Sequence, residues 1–117
     1  MEVISIILNG DFETMKKLAI DVNFKDSCGW TALHYASYFG DLKQVQMLLD
    51  HGAEIDAKTN SDFTPLHLAS NWNRVSVVEL LLKHGANPKL LDHNDNPPLY
   101  YAQYKNNTEI LALLEKK

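Results

Sequence analysis

Apolar side chains recur along this chain at the spacing of short amphipathic helices. In the first 21 residues they form two short helical faces, which are interrupted at Asn9-Gly10-Asp11. Polar turns then precede further pairs of helices, whose second members are expected at about residues 43–50, 76–84 and 108–117. The pattern therefore predicts short helices that are paired and joined by polar turns.

The same residues return every 33 positions. Ala-Leu-His-Tyr-Ala-Ser at residues 32–37 is followed by Pro-Leu-His-Leu-Ala-Ser at residues 65–70 and by a degenerate Pro-Leu-Tyr-Tyr-Ala-Gln at residues 98–103. Gly52-Ala53 repeats in the same register as Gly85-Ala86. Because a fixed period that carries Thr-Pro-Leu-His-x-Ala is the signature of ankyrin repeats, the chain resembles the ankyrin-repeat family.

The resemblance implies an all-α fold, an ankyrin-repeat solenoid of stacked helix-turn-helix units with β-hairpin or turn fingers. At 117 residues the chain is expected to form one domain. Its parts would be an N-terminal capping repeat at 1–25, full repeats at 26–58 and 59–91, and a C-terminal capping repeat at 92–117. This plan is similar to that of myotrophin-type mini-ankyrins, which sequester other proteins.

Both ends of the chain depart from the repeat. The first unit lacks three residues where the next repeat reads Asp50-His51-Gly52-Ala53, so we expect a tightened loop without a glycine. In the last unit, Pro97 replaces a threonine and Tyr100 replaces a histidine. Glu115 stands at the position of the apolar Leu82, which favours a terminal helix that faces water.

Histidine occurs five times, and structural roles explain these residues better than metal binding does. The resemblance implies that Thr31 pairs with His34 and Thr64 with His67, since a buried imidazole needs hydrogen-bond partners. Two others precede helix-ending glycines, where they can meet the partial negative charge of a helix C-terminus, and the last lies in an exposed turn. These three are His51, His84 and His93.

Catalytic and metal-binding patterns are weak. Cys28 and His34 could form a dyad, but they are six residues apart across a turn, so we expect Cys28 to be an exposed free thiol. No pair of ligand-type residues has the short spacing of a zinc site and no phosphate loop is present, so we expect no metal and no cofactor. Asn23 resembles the loop asparagine that is hydroxylated in some ankyrin proteins; the alternative is a turn residue bonded to its own backbone.

Charge and composition narrow the partner and the compartment. The formal net charge of -4 and the scatter of the eleven Lys and Arg residues argue against nucleic acid or an anionic membrane as a partner. The apolar run at the start is too short for a secretory signal, and no run approaches a membrane span. A single cysteine cannot form an internal disulfide, which suits a reducing compartment. We therefore expect a cytoplasmic or nuclear location.

The resemblance also implies a binding surface, because ankyrin proteins use their finger tips and first helices as a concave binding face. The variable positions flank each turn and precede the mid-repeat glycine. Six aromatic side chains occupy such positions, and exposed aromatic residues tend to mark interaction sites. With two polar neighbours they form the expected protein-binding set, which we call the aromatic face: Trp30, Tyr38, Phe39, Phe63, Asn71, Trp72, Tyr104 and Lys105.

The spacing of these residues predicts how their rings are arranged. Successive repeats align Trp30 with Phe63 and Phe39 with Trp72, which predicts two parallel aromatic rows. One or two of the six rings, such as Phe63 against the preceding repeat, are expected to pack sideways on neighbouring fingers. The rim of the face is acidic and favours a partner with basic groups around an apolar anchor; its members are Asp26, Asp41 and Asp62.

Three functional hypotheses follow. The leading one is a non-enzymatic module that binds another protein through the aromatic face, as an adaptor or a sequestering inhibitor. Such a chain is expected to be monomeric, although the aromatic face also allows self-association. The second hypothesis is a scaffold or spacer segment of a larger protein whose enzymatic, channel or effector activity lies elsewhere. The third is an enzyme, for which the sequence shows no active site.

Overall fold

A computed structural model describes residues 2–116 and contains eight α-helices in that range. The helices are paired in chain order, with one pair in each repeat. Their bounds are α1 Glu2–Leu8, α2 Phe12–Lys17, α3 Ala32–Phe39, α4 Leu42–Asp50, α5 Pro65–Asn71, α6 Val75–Lys83, α7 Pro98–Tyr104 and α8 Thr108–Glu115. No strand occurs between residues 2 and 116, so the fingers are turns and not β-hairpins.

Each helix pair packs on the next, and the stack measures 43 × 25 × 20 Å. The first helices, α3, α5 and α7, contact one another along the stack, and the second helices, α4, α6 and α8, form the other layer. One continuous apolar core lies between the layers, and equivalent positions of successive repeats are buried in it. Examples are Leu33 and Leu66, Val45 and Val78, and Leu48 and Leu81. The predicted all-α stack of helix-turn-helix units is confirmed.

Polar side chains determine where the first helices begin. The hydroxyl of Thr31 accepts a hydrogen bond from the backbone N–H of His34, and Nδ1 of His34 accepts one from the backbone N–H of Thr31 at 3.0 Å. Thr64 and His67 form the same capping box on α5. Each bond satisfies a backbone N–H that has no partner within the helix or turn, so the predicted Thr–His pairs are confirmed as helix caps.

The second ring nitrogen of each histidine joins its repeat to the next one. Nε2 of His34 donates to the backbone carbonyl of Phe63 at 2.9 Å, and Nε2 of His67 donates to that of Asn96 at 2.9 Å. Burial lowers the pKa of His34 to about 4 and also lowers the pKa of His67, so both rings are neutral at pH 7. A neutral ring that accepts at Nδ1 and donates from Nε2 satisfies both nitrogens.

Backbone hydrogen bonds join neighbouring finger tips as well. The N–H of Asn60 donates to the carbonyl of Cys28 at 3.1 Å, and the N–H of His93 donates to the carbonyl of Ser61 at 2.9 Å. The two bonds are equivalent under the repeat. The fingers therefore form a continuous row along one edge of the stack.

The other histidines lie at exposed positions. Nδ1 of His51 bonds the carbonyl of Met47 at 2.8 Å, as expected near a helix C-terminus, and its ring stacks on Phe12 at 3.6 Å. His84 occupies the equivalent C-cap position of α6. His93 is exposed in its turn, as predicted.

Asn23 joins the capping repeat to the loop of the first full repeat. Its Oδ1 accepts a hydrogen bond from the N–H of Glu54 at 2.7 Å, and its Nδ2 donates to the carbonyl of Gly52 at 3.2 Å. The expectation that its side chain bonds its own backbone is wrong, because the neighbouring loop lies within reach. One repeat later, Asp56 accepts from the N–H of Asn87 in the same way.

The N-terminal capping repeat is shortened in its second helix and not in the loop that follows. Helix α2 has 6 residues, whereas α4 and α6 have 9. The loop keeps a left-handed residue at the position of the later glycines: φ is 54° at Ala19, 88° at Gly52 and 91° at Gly85. The loop has no glycine at this position, as predicted. The prediction of a tightened loop is wrong, because the missing residues come from the helix and the loop keeps the conformation seen in the later repeats.

The last repeat lacks the threonine–histidine cap. Pro97 is the N-cap of α7 and makes no side-chain cap hydrogen bond, while Tyr100, in place of the histidine, is exposed. Glu115 is exposed at the end of α8, whereas Leu82 at the equivalent position is buried. Helix α8 ends at Glu115 with Lys116 as its C-cap, so the predicted continuation of the helix is wrong at Lys116. Lys117 lies outside the described residues, as does Met1 at the start of the capping repeat.

Acid is expected to weaken the fold through the buried histidines. The pKa of His34 is about 4 in the folded chain, whereas a solvent-exposed histidine, as in the unfolded chain, has a pKa of 6.5. The unfolded chain therefore binds the proton more readily. The stability contributed by this ring is fully present above pH 6.5 and is lost as the pH falls towards 4. Between about pH 7 and about pH 5 the loss should be about 2 kcal/mol of unfolding free energy. Denaturant unfolding of the wild type and His34→Gln tests this; equally steep pH dependence in both proteins would contradict it.

Ala19→Gly is expected to raise the unfolding free energy by about 1 kcal/mol. A left-handed backbone costs an alanine about 1–2 kcal/mol through its Cβ, whereas glycine adopts it with little strain but loses more backbone entropy on folding. The midpoint of denaturant unfolding measures the gain. The matched control is Ala112→Gly at an exposed position inside α8, which should lower stability by roughly 0.5–1 kcal/mol. Destabilisation by both substitutions would show that Ala19 is not strained.

Candidate functional site

A groove of about 540 Å³ opens between the fingers and first helices of the two full repeats. Aromatic side chains make up much of its lining, and the buried lining residues, which we call its base, are Thr59, His67 and Leu68. The aromatic side chains that line it are Trp30, Tyr38, Phe63, Trp72 and Tyr101. Among the described residues that line the groove, none is Asp, Glu, Lys or Arg. The groove is therefore an uncharged, largely apolar cleft.

The structure brings part of the aromatic face together in this groove. The turns place Trp30 and Phe63 there, and the C-terminal ends of the first helices place Tyr38, Asn71 and Trp72. The other predicted residues lie outside the groove; these are Phe39, Tyr104 and Lys105.

Ring contacts connect the two repeats through Tyr38. Its centroid lies 6.0 Å from Trp30, 5.0 Å from Phe39 and 5.1 Å from Trp72, each at a steep interplanar angle. Edge-to-face pairs of this kind are favourable because the ring edge is positive and the face negative. In place of two parallel rows, the observed contacts run diagonally from Trp30 through Tyr38 to Trp72.

Exposure divides the six aromatic residues into two groups. Three are exposed, at 60%, 44% and 73% of their surface: Phe39, Trp72 and Tyr104. The other three are half-buried: Trp30, Tyr38 and Phe63. Of these three, Tyr38 and Phe63 each contact a ring of the following repeat, whereas the ring contacts of Trp30 lie within its own repeat.

Phe63 packs in a direction that the sequence does not predict. Its ring lies 5.9 Å from His67 of its own repeat and 6.2 Å from Tyr101 of the following repeat. The preceding repeat instead meets its backbone, whose carbonyl accepts the bond from His34. The expectation of a Phe63 ring packed against the preceding repeat is corrected accordingly.

Lys105 lies beside the groove, and Tyr104 contacts Tyr100 outside it. The ammonium of Lys105 is 5.5 Å from the ring centroid of Trp72, within the range of a cation–π interaction. Asn71, Trp72 and Lys105 line a neighbouring polar hollow of about 480 Å³. The ring of Tyr104 stacks near that of Tyr100, with centroids 6.4 Å apart.

The acidic rim expected around the aromatic face is partly engaged inside the protein. Asp26 accepts the backbone N–H of Trp30 at 3.0 Å and the hydroxyl of Tyr35. Asp41 caps α4 by accepting the N–H of Gln44 at 3.0 Å. Since these carboxylates already have partners, they give little support to a partner with basic groups.

Sequence reasoning missed the base of the groove. Leu68 and Thr59 lie there, although the motif that contains Leu68 reads as scaffold. A signal was present, because Tyr35 and Tyr101 occupy the positions equivalent to Leu68 in the other repeats. The tip positions that were expected to vary do line the mouth of the groove: Ser27, Cys28, Asn60 and Ser61.

The geometry does not support a Cys28–His34 dyad. His34 is buried with both ring nitrogens bonded, whereas Cys28 is exposed at a finger tip. Between residues 2 and 116, no three side chains of His, Cys, Asp or Glu converge as metal ligands do. Over the same range, the structure has no helix with the length and hydropathy of a membrane span.

Comparison with known families identifies the type of helical repeat. Residues 3–92 match the family described as "Ankyrin repeats (3 copies)". The chain belongs to the ankyrin-repeat family. Ankyrin repeats generally mediate protein–protein interaction and are generally non-enzymatic. The resemblance drawn from the 33-residue motif is thereby confirmed.

Curated relatives match shorter stretches of the chain. It is 48% identical over 58 residues to Ankyrin repeat domain-containing protein 39 of Homo sapiens, which covers 47% of this chain and 32% of that protein. It is 42% identical over 45 residues to Delta-latroinsectotoxin-Lt1a of Latrodectus tredecimguttatus, which covers 38% of this chain and 4% of the toxin. It is 53% identical over 34 residues to Calmodulin-binding transcription activator 6 of Arabidopsis thaliana, a match that covers 29% of this chain and 4% of that protein. The chain thus spans at most 32% of the length of these relatives.

The thiol of Cys28 is expected to react in the native protein. Its side chain is exposed at the mouth of the groove, so one maleimide should add to the single cysteine without prior unfolding and without lowering the melting temperature. Intact-mass spectrometry and thermal unfolding of the labelled protein measure both quantities. Protection of the thiol until denaturant is added would contradict the exposed position.

Proposed function

We propose that this ankyrin-repeat chain is a non-enzymatic module that binds another protein through its aromatic face and acts as an adaptor or a sequestering inhibitor. One observation carries the proposal: exposed aromatic side chains border a groove that is lined by aromatic rings and by no charged residue among those described. A purely structural repeat has no need of such a surface.

The exposure of Trp72 and Phe39 supports this proposal. Large apolar patches are uncommon on soluble proteins unless they bind something. The two rings are 44% and 60% exposed although both contact Tyr38, so a partner can cover them without rearranging the fold. Because neighbours already hold these rings, little side-chain freedom is lost on binding, which favours affinity.

The proposed partner is a protein and not nucleic acid or an anionic membrane. The net charge is -4, and the described groove lining offers no Lys or Arg to meet phosphates. We place the chain in the cytoplasm or the nucleus, where the exposed thiol of Cys28 stays reduced. We propose a monomer, and light scattering distinguishes it from a dimer formed through the aromatic face.

A second candidate function is favoured by how little of each relative's length matches this chain. The matched stretch is 32% of the human protein and 4% of the spider toxin, so ankyrin segments of this kind occur within larger proteins. The chain would then be a scaffold or spacer whose associated activity lies in other domains. An immunoblot of the native polypeptide separates the two candidates, because the segment alone has a mass of 13.3 kDa.

Trp72→Ala is expected to weaken partner binding without unfolding the domain. Truncating a dominant aromatic side chain at an interface costs about 2 kcal/mol, which is roughly 30-fold in Kd. Trp72 is 44% exposed, so the melting temperature should change little. Proteins captured from a lysate on wild-type and Trp72→Ala beads are compared by quantitative mass spectrometry, and calorimetry then measures Kd for those that differ.

Leu42→Ala is the matched control for this experiment. Leu42 is 43% exposed but lies on α4, away from the aromatic groove, so its truncation should leave capture unchanged. Equal capture by the wild type and by Phe39→Ala/Trp72→Ala would place the interface elsewhere and overturn the proposal.

A further inference from the structure

The central repeat lacks a tyrosine–aspartate pair that its neighbours contain. In the first full repeat the hydroxyl of Tyr35 donates to the carboxylate of Asp26, and the last repeat contains the same bond. At the equivalent positions the central repeat has Leu68 and Thr59. Both members of the pair are therefore replaced in the repeat that forms the base of the groove.

Thr59 keeps the turn-forming role of the aspartate that it replaces. Its Oγ1 accepts the backbone N–H of Ser61 at 3.2 Å and that of Phe63 at 3.1 Å, as a carboxylate oxygen of Asp26 does for its own turn. Threonine has no second oxygen to accept a phenol hydroxyl. The finger keeps its shape, while the site that would bind a tyrosine hydroxyl is removed.

The last repeat indicates where the missing ring would lie. The ring of Tyr101 lies 6.2 Å from that of Phe63, which belongs to the preceding repeat. Shifted back by one repeat, a ring at position 68 would lie beside Trp30 in the same way. Leu68 and Trp30 both line the groove, so the groove includes the space that a tyrosine ring would fill.

We propose that this groove binds an aromatic side chain of the partner protein, whose ring takes the place of the missing tyrosine ring. This inference rests on the proposed function and specifies its anchor. Aromatic rings make up much of the lining and are the side chains with which an incoming ring pairs favourably, and the apolar Leu68 lies at the base. A volume of about 540 Å³ admits a ring together with the adjoining backbone.

The described lining offers no carboxylate as an ion-pair partner for a cationic side chain. With Thr59 in place of an aspartate, no carboxylate remains at the base to pair with an ammonium or guanidinium group. Burial lowers the pKa of His67, so the one imidazole in the lining is neutral at pH 7. An aromatic side chain therefore enters without leaving an unpaired charge.

The test uses p-cresol, which is the side chain of tyrosine without its backbone, and tetramethylammonium as a cationic probe. Titration with p-cresol should shift the indole N–H signal of Trp30 and the methyl signals of Leu68 saturably, whereas tetramethylammonium should not. The variant Thr59→Asp/Leu68→Tyr restores the pair found in the other repeats and fills the groove from within. It should melt no lower than the wild type and bind p-cresol at least tenfold more weakly.

Leu42→Tyr is the matched control, because it makes the same side-chain change away from the groove and should leave p-cresol binding intact. If the double variant does not fold, Leu68→Phe fills the groove without needing the aspartate. Undiminished p-cresol binding in a folded, filled variant, or preferential binding of tetramethylammonium, would overturn the inference.

The outcomes also separate this inference from the proposed function. If Trp72→Ala loses partner binding but p-cresol does not bind, the aromatic anchor alone is wrong. If the wild type and Phe39→Ala/Trp72→Ala capture partners equally, the proposed function is wrong whatever p-cresol does.

Discussion

His34 and His67 each hold two repeats together with one buried ring. Nδ1 closes the cap of the histidine's own helix while Nε2 donates to a carbonyl of the next finger, and burial keeps the ring neutral so that both bonds form at once. An unpaired buried nitrogen is costly, so helix start and finger position cannot shift independently. In the last repeat Tyr100 takes this place, and no finger follows it among the described residues.

The same link positions the groove. His34 bonds the carbonyl of Phe63, which lines the groove together with Trp30, and His67 is itself part of the lining. The finger tips are joined by backbone bonds as well, for instance between Asn60 and Cys28. Because these bonds hold the finger backbone in place, the rings at the fingers are presented on a rigid support.

Predictions based on local chemistry succeeded. The Thr31–His34 cap, which the resemblance implied, and the helix end at Gly52 depend on bonds between residues a few positions apart. Predictions that needed the neighbouring repeat did not. The side chain of Asn23 bonds the next loop, and the ring of Phe63 packs on the following repeat, because contacts between repeats depend on how the units stack.

By itself the sequence determined the period and where the helices of the two full repeats begin and end, since hydrogen bonds within one repeat control the helix ends. The sequence also shows Leu68 at a position where the neighbouring repeats have Tyr35 and Tyr101. Only the tertiary structure decided that this break opens into a groove and that Tyr38 bridges to Trp72 of the next repeat. Whether a ring is covered or exposed depends on the distance and tilt between stacked repeats, and the residue's own identity does not specify these.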